Sequence, residues 1–205
     1  MFQSAHAQTD PLTDHYFVSI GASGAEGLGD IKGLLTALGQ LPNATVMVVL
    51  HRPFDRPSSL QAILESATLM PVLVAGDGMK LERGTCYIGE PAAHLHLANN
   101  SFGALERDPG RKYRNRTVDL LFGSLATHAG ERAIGVVLSG SLDDGSRGLA
   151  AIHHAGGLTM VVLSTSVPTG MPGRAIAYDG PIDCIGTIDH IAKTLIAHLG
   201  SPAPD

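Results

Sequence analysis

Tyr16-Phe17-Val18-Ser19-Ile20-Gly21-Ala22-Ser23-Gly24 begins as an apolar run and ends on small residues, and helical spacing follows from about Ala25. An apolar strand feeding a tight turn and then a helix is the first half of a βα unit. The turn also has a chemical reading. A serine among small residues at such a point has its hydroxyl clear of bulky neighbours. It lies beside the unpaired N–H groups of a helix start, where developing negative charge is stabilised. Ser23 is therefore a candidate nucleophile.

Outward from this segment the rhythm repeats. Residues 46–50, 72–75, 133–138 and 158–163 read as further strands, and 26–38, 58–66, 118–129, 145–155 and 189–199 as helices. The strands lack in–out alternation, so both of their faces are covered, as in parallel sheets. The expected fold is α/β: a doubly wound, mainly parallel sheet flanked by helices. One region breaks the pattern. Between residues 84 and 106, short strands over 85–88, 94–98 and 102–105 surround the turn Asn99-Asn100-Ser101, which predicts an antiparallel hairpin insertion. Residues 15–200 form one expected domain, with disordered tails over 1–14 and 201–205.

Composition narrows the function. The chain has 205 residues and a net charge of −5, which argues against an electrostatic nucleic-acid binder. No apolar run approaches the ~20 residues that span a bilayer, and the polar N-terminus is not a signal peptide. Cys86 and Cys184 lie in apolar stretches and read as buried, reduced thiols. A cytoplasmic location is expected. His153 and His154 are adjacent on a helix and point to different faces, so no shared metal is expected there.

Parallel sheets place their chemistry at the carboxyl ends of the strands. The first strand ends at Gly21-Ala22-Ser23, the second at His51-Arg52-Pro53, and a later one at Ser139-Gly140-Ser141-Leu142-Asp143-Asp144-Gly145. A hydroxyl, an imidazole and two carboxylates thus stand at three strand ends. A serine hydroxyl is a weak nucleophile until an imidazole takes its proton, and the imidazole needs an acceptor to fix its tautomer. Singly each residue has a structural role: Ser23 as a helix N-cap, His51 as one of ten histidines, Asp143 or Asp144 as turn residues.

Six motifs stand in order along residues 18–199: Ile20-Gly-Ala-Ser23, His51-Arg-Pro53, Tyr87-Ile-Gly-Glu-Pro-Ala-Ala-His-Leu95, Arg116-Thr-Val-Asp-Leu-Leu-Phe122, Ile134-Gly-Val-Val-Leu-Ser-Gly140 leading to Asp144-Gly145, and Gly170-Met-Pro172. Together they resemble the CheB family of chemoreceptor methylesterases. The resemblance implies hydrolysis of glutamate methyl esters, with glutamine deamidation in some members, on chemoreceptor signalling helices. It implies Ser23 as nucleophile, His51 as general base and acid, and Asp144, next to the turn glycine, as the orienting carboxylate. Ser141, Gly24 and Arg52 would serve the oxyanion or bind substrate, with no metal and no cofactor. His94 sits where the family often carries histidine, and a structural role is expected for it. The basic loop of Arg111, Lys112, Arg114 and Arg116 is expected to be solvated or to meet an acidic receptor surface.

Two departures from the family pattern carry expectations. Gly24-Ala25-Glu26-Gly27 contains one extra residue, with Glu26 at a glycine position, which is expected to displace the serine hydroxyl. Ser141-Leu142 replaces Met-Gly, and leucine fits poorly where glycine serves a positive φ. The alternative function is thus a catalytically impaired CheB-like domain acting as a binding or regulatory module. A nucleotide-binding domain is disfavoured. Gly21-x-x-Gly24-x-x-Gly27 is not the dinucleotide spacing, and His51 stands where a ribose-binding acid belongs. Only about 15 residues stand before the first strand, too few for a receiver domain, so the chain is either a stand-alone enzyme, for which phosphorylation in cis is not expected, or a piece of a longer protein.

Overall fold

A computed structural model describes residues 15–52, 58–89, 91–108, 110, 112, 115–163, 167–178 and 180–200. The tails expected over 1–14 and 201–205, and Arg111 and Arg114 of the basic loop, lie outside the described residues. In chain order the elements are β1 (Tyr16–Ser23), α1 (Gly24–Leu38), β2 (Ala44–His51), α2 (Leu60–Glu65), β3 (Val72–Val74), β4 (Cys86–Ile88), β5 (Ala93–Ala98), β6 (Phe102–Arg107), α3 (Thr117–Ala129), β7 (Ala133–Val137), α4 (Ser146–His154), β8 (Leu158–Val162), α5 (Gly170–Ala177), β9 (Cys184–Gly186) and α6 (Ile188–Gly200).

Seven strands form one sheet in the order β3-β4-β2-β1-β7-β8-β9, and every pairing in it is parallel. The chain winds from β1 toward one edge, then returns to build the other half from β7 onward. The winding reverses at β1, and its carboxyl end lies at the point where such sheets open a crevice. The doubly wound α/β fold expected from the sequence is present. The sheet is larger than the strand reading gave it. Cys86–Ile88 pairs in parallel between β2 and β3 and so belongs to the main sheet, while the antiparallel hairpin is β5–β6 alone.

All eight residues of β1 are buried. Tyr16, Val18, Ile20 and Ala22 join a core with α1, α2 and α6, including Ile31, Leu34, Leu64, Ile191 and Leu195. The alternate residue Phe17 joins a second core with Leu121, Phe122, Leu149 and Met171 of α3, α4 and α5. Each fully buried leucine or phenylalanine contributes about 1.5–3 kcal/mol relative to exposure. The polar residue on this face, Ser19, is satisfied by donating to the Ile134 carbonyl at 3.0 Å. Gly21 lets α3 approach closely, because a Cβ there would stand 2.3 Å from Val118 Cγ1. The hairpin docks on α3 through buried Leu95 and Leu97, and the Leu97 N–H donates to Ser124 Oγ at 2.9 Å. Among the described residues, no helix is long and apolar enough to cross a membrane.

Candidate active site

Side-chain alternation decides which face the strand ends serve. Ser23 and His51 are Cα partners at the last rung of the β1–β2 ladder. Partners in a parallel pair point to the same face, from strands about 4.8 Å apart. That face is the one covered by α3 and α4, since Phe17 and Met47 on the same alternation pack there.

Ser23 occupies the N-cap position of α1, with extended φ and ψ of −142° and 141°, and its side chain makes no capping hydrogen bond. The capping role open in the sequence is therefore not used. The Ser23 N–H donates to the Ser139 carbonyl at 3.0 Å, tying the end of β1 to the turn after β7. Gly140 presses against it, and a Cβ on that glycine would lie 2.6 Å from Ser23 Cβ.

Both sequence departures are accommodated. The β1–β2 ladder is unbroken through Ser23, so the extra residue lies wholly beyond the serine. Gly24 has a left-handed φ of 71°, Ala25 and Glu26 face solvent, and Gly27 is buried where a Cβ would stand 2.5 Å from the Ser139 carbonyl oxygen. The expected displacement at the strand end is absent from the backbone register. In the second turn, Ser101 is the sole non-glycine with positive φ among the described residues, so Leu142 meets no left-handed strain. Gly145, at φ 95°, makes the turn instead.

His51 Nε2 lies 2.7 Å from Asp144 Oδ2, and Thr117 Oγ1 stands 3.4 Å from the same nitrogen. Asp143 is exposed, so Asp144 is the aspartate that the fold brings to the imidazole. Asp144 is 1% exposed, yet it is fully partnered. Its Oδ2 also accepts the Val118 N–H at 2.8 Å, and its Oδ1 accepts the Asp119 and Gly145 N–H groups at 2.8 and 2.9 Å. Two of those donors are free N–H groups at the start of α3, which favours negative charge there. A carboxylate so surrounded by donors takes an N–H from His51. The proton therefore sits on Nε2, and Nδ1 is the acceptor nitrogen. Nδ1 is also the ring nitrogen nearer the backbone, and Ser23 is the adjacent residue across the ladder. In this conformation no hydrogen bond within 3.5 Å joins Ser23 Oγ to His51 among the described contacts.

The remaining expected site residues are placed less uniformly. Gly24 and Ser141 are exposed beside Ser23 and Gly140, respectively. The Gly140 carbonyl accepts the Met171 N–H at 2.7 Å, so α5 braces this turn. Arg52 Nη2 donates to the Gly89 carbonyl at 2.7 Å, a clamp between the ends of β2 and β4. A groove of about 390 Å³ runs beside His51 and Arg52, lined by Gly24, Leu28, Leu60 and Ile63. His94, buried, has its Nε2 3.4 Å from Asp108 Oδ2, in keeping with a structural role. His154 Nδ1 is bound to the Ala150 carbonyl at 2.6 Å, and among the described residues no group of three or more potential ligands is arranged to hold a metal.

Sequence reasoning passed over Thr117 and Asp119 as parts of the site. Asp119 Oδ1 accepts the Gly145 and Gly148 N–H groups, each at 2.9 Å. Burial foremost, with the nearby Asp144 charge adding to it, pushes the Asp119 carboxyl above its ordinary range against the opposing pull of the Gly148 N–H. The available signal was Thr-Val-Asp at a helix start, where side chains and N–H groups meet a neighbouring turn.

Comparison with known proteins gives a consistent result. The family model described as CheB methylesterase matches residues 18–195. A protein-glutamate methylesterase/protein-glutamine glutaminase of Yersinia pestis bv. Antiqua (strain Antiqua) is 30% identical over 201 residues, covering 95% of this chain and 56% of the relative. A protein of the same name from Geobacillus kaustophilus is 34% identical over 192 residues, covering 89% of this chain and 53% of the relative. The chain thus spans about half the length of these curated relatives. The crystal structure of the Thermotoga maritima CheB methylesterase catalytic domain superposes with a TM-score of 0.78 at 26% identity, covering 90% of this chain and 98% of that one. The chain belongs to the CheB methylesterase family.

Proposed function

We propose that this domain hydrolyses γ-methyl esters of glutamate on the signalling helices of methyl-accepting chemoreceptors or related signalling proteins, through Ser23, His51 and Asp144. The observation that carries the reading is the 2.7 Å contact of Asp144 with His51 Nε2, on a histidine whose ladder partner is Ser23. Rotation of the serine side chain toward Nδ1 would set up the reaction. Ser23 Oγ attacks the ester carbonyl as its proton passes to Nδ1, and the Nε2–H···Asp144 contact stabilises the imidazolium. The tetrahedral oxyanion is met by N–H groups at the start of α1, from Gly24, and in the turn at Ser141. Such donors are typically worth about 3–4 kcal/mol each. His51 returns the proton to the departing methoxide, releasing methanol. Water, activated by the same Nδ1, then cleaves the acyl-serine to glutamate. A glutamine side chain would follow the same path with ammonia leaving. The groove beside His51 offers apolar contact for the flank of the receptor helix.

The test is methanol release from a methylated receptor, compared between wild type and Ser23→Ala. Release abolished by the substitution supports the reading. Equal release from both, with receptor still bound, overturns it in favour of a non-hydrolytic binding module, the reading that the unjoined Ser23 hydroxyl favours.

A further inference from the structure

The starts of α3 and α4 cap one another. Asp144, in the turn before α4, accepts the first N–H groups of α3, from Val118 and Asp119. Asp119, on α3, accepts N–H groups at the start of α4, from Gly145 and Gly148. The Gly145 N–H is shared between the two carboxylates, at 2.9 Å from each Oδ1. The other oxygen of Asp119 faces Arg116 Nη1 at 3.5 Å and Arg147 Nη1 at 3.9 Å. The helices are drawn tightly together here, because a Cβ on Gly148 would stand 2.5 Å from Phe122 Cβ and 3.2 Å from Asp119 Cα.

We propose that Asp119 is a positioning residue for the reaction: by holding Gly145 and Gly148 it fixes the turn that aims Asp144 at His51. A helix cap alone would need a single acceptor. Here two acceptors share one N–H, so the turn that carries Asp144 is tied to α3 through Asp119 as well as through Asp144 itself. Asp144 in turn holds His51 by Nε2, which leaves Nδ1 for Ser23.

This proposal rests on the esterase reading, and the experiment separates the two. In the Ser23→Ala protein, the His51 Nε2–H shared with Asp144 is followed by NMR with and without Asp119→Asn and Asp119→Ala; this measurement needs no turnover. The expected result is an Nε2–H signal that persists in Asp119→Asn and is broadened or lost in a folded Asp119→Ala, since only the second removes the acceptor that holds the turn. In the active protein, Asp119→Ala should lower kcat about tenfold or more with KM little changed, as a misaligned base does. Asp119→Asn retains an acceptor oxygen for Gly145 and Gly148 and should recover most of that loss. An unchanged His51 Nε2–H signal in a folded Asp119→Ala protein overturns the proposal. So does Asp119→Ala turning over at the wild-type kcat. Failure of the esterase reading would instead appear as wild-type turnover no faster than Ser23→Ala, with the change in the Nε2–H signal intact.

Discussion

Ser23 and His51 are the final ladder pair of two adjacent central strands, so the backbone hydrogen bonds of the sheet set their separation. Neither residue depends on a flexible loop to meet the other. Rigid elements hold side chains more accurately than loops do, which is what a proton relay needs. Substituting either side chain should therefore affect chemistry more than folding. Ser23→Ala and His51→Gln are expected to lower ester hydrolysis about 10³-fold or more. Both should unfold within a few degrees of wild type. A calorimetric scan beside the methanol assay checks both parts, and a fluorophosphonate probe should label wild type but not Ser23→Ala.

Asp144→Asn replaces an acceptor that serves four N–H groups with an amide, half of which donates. The flipped amide either points its NH₂ at His51 or opposes the α3 N–H groups. The first arrangement puts the proton on the wrong ring nitrogen. The expected outcome is a kcat loss of about 10³–10⁴-fold. A stability loss of about 1–3 kcal/mol should accompany it, because buried donors lose their acceptor. Urea denaturation and steady-state kinetics on one preparation would measure both.

Gly140→Ala is a steric probe of the nucleophile. Its Cβ would meet Ser23 Cβ at 2.6 Å, Met171 Sδ at 2.7 Å and the Ser23 nitrogen at 2.8 Å. The methionine end can move, but the serine backbone cannot without breaking its bond to Ser139. A stability loss of about 1–3 kcal/mol is expected, together with a hydrolytic rate reduced about 100-fold by displacement of Ser23. Wild-type activity in this variant would contradict the placement of the serine against the turn.

His15 makes stability depend on pH. Its Nε2 lies 2.8 Å from Thr45 Oγ1, whose own hydrogen goes to the Glu82 carbonyl at 2.9 Å, so Nε2–H is the donor. Burial, reinforced by Arg83 and Arg132, lowers its pKa from 6.5 to about 4. The unfolded chain therefore takes up the proton first as pH falls. Folded stability should decline from about pH 6.5 down to about pH 4 and level off below, by up to about 3 kcal/mol. Denaturation midpoints measured across that range should flatten in His15→Gln.

The two thiols should be silent in the native state. Cys86 and Cys184 are both free and buried, and burial pushes the Cys86 thiol up to about 12. Ellman's reagent should titrate almost nothing in native protein, and both thiols once guanidinium unfolds it.

The three proposed catalytic side chains were legible because each follows a long apolar strand, and strand ends in a parallel sheet converge. Choosing between Asp143 and Asp144 was beyond spacing, since adjacent residues in a turn differ only in direction. The structure separates them by burial and by the α3 N–H groups. The strand over 85–88 was legible but its place in the main sheet was not, because its partners lie far away in the chain, and Cys184–Gly186, with three residues, is too short for periodicity to show. Asp119 was invisible for a related reason: its acceptors and donors come from two helix starts that the chain alone does not place side by side. The departure after Ser23 was visible, but its effect was not, because only the ladder shows that the register runs unbroken through the serine.

The reversal of winding at β1 has a consequence for biosynthesis. On a growing polypeptide, β1 and β2 are both available early, whereas β7, the other neighbour of β1, begins only at Ala133. At about 5–20 residues per second, the inner edge of β1 stays unpaired for several seconds. Throughout that interval an apolar strand in the middle of the future sheet is an open edge, the kind that pairs with other chains. Ser23 and His51 can already face each other, yet Asp144 and the turn that supports Ser23 do not exist. The ribosome therefore releases the complete constellation only with the second half of the sheet, and a nascent-chain holdase acting on the first half would find its binding surface along β1.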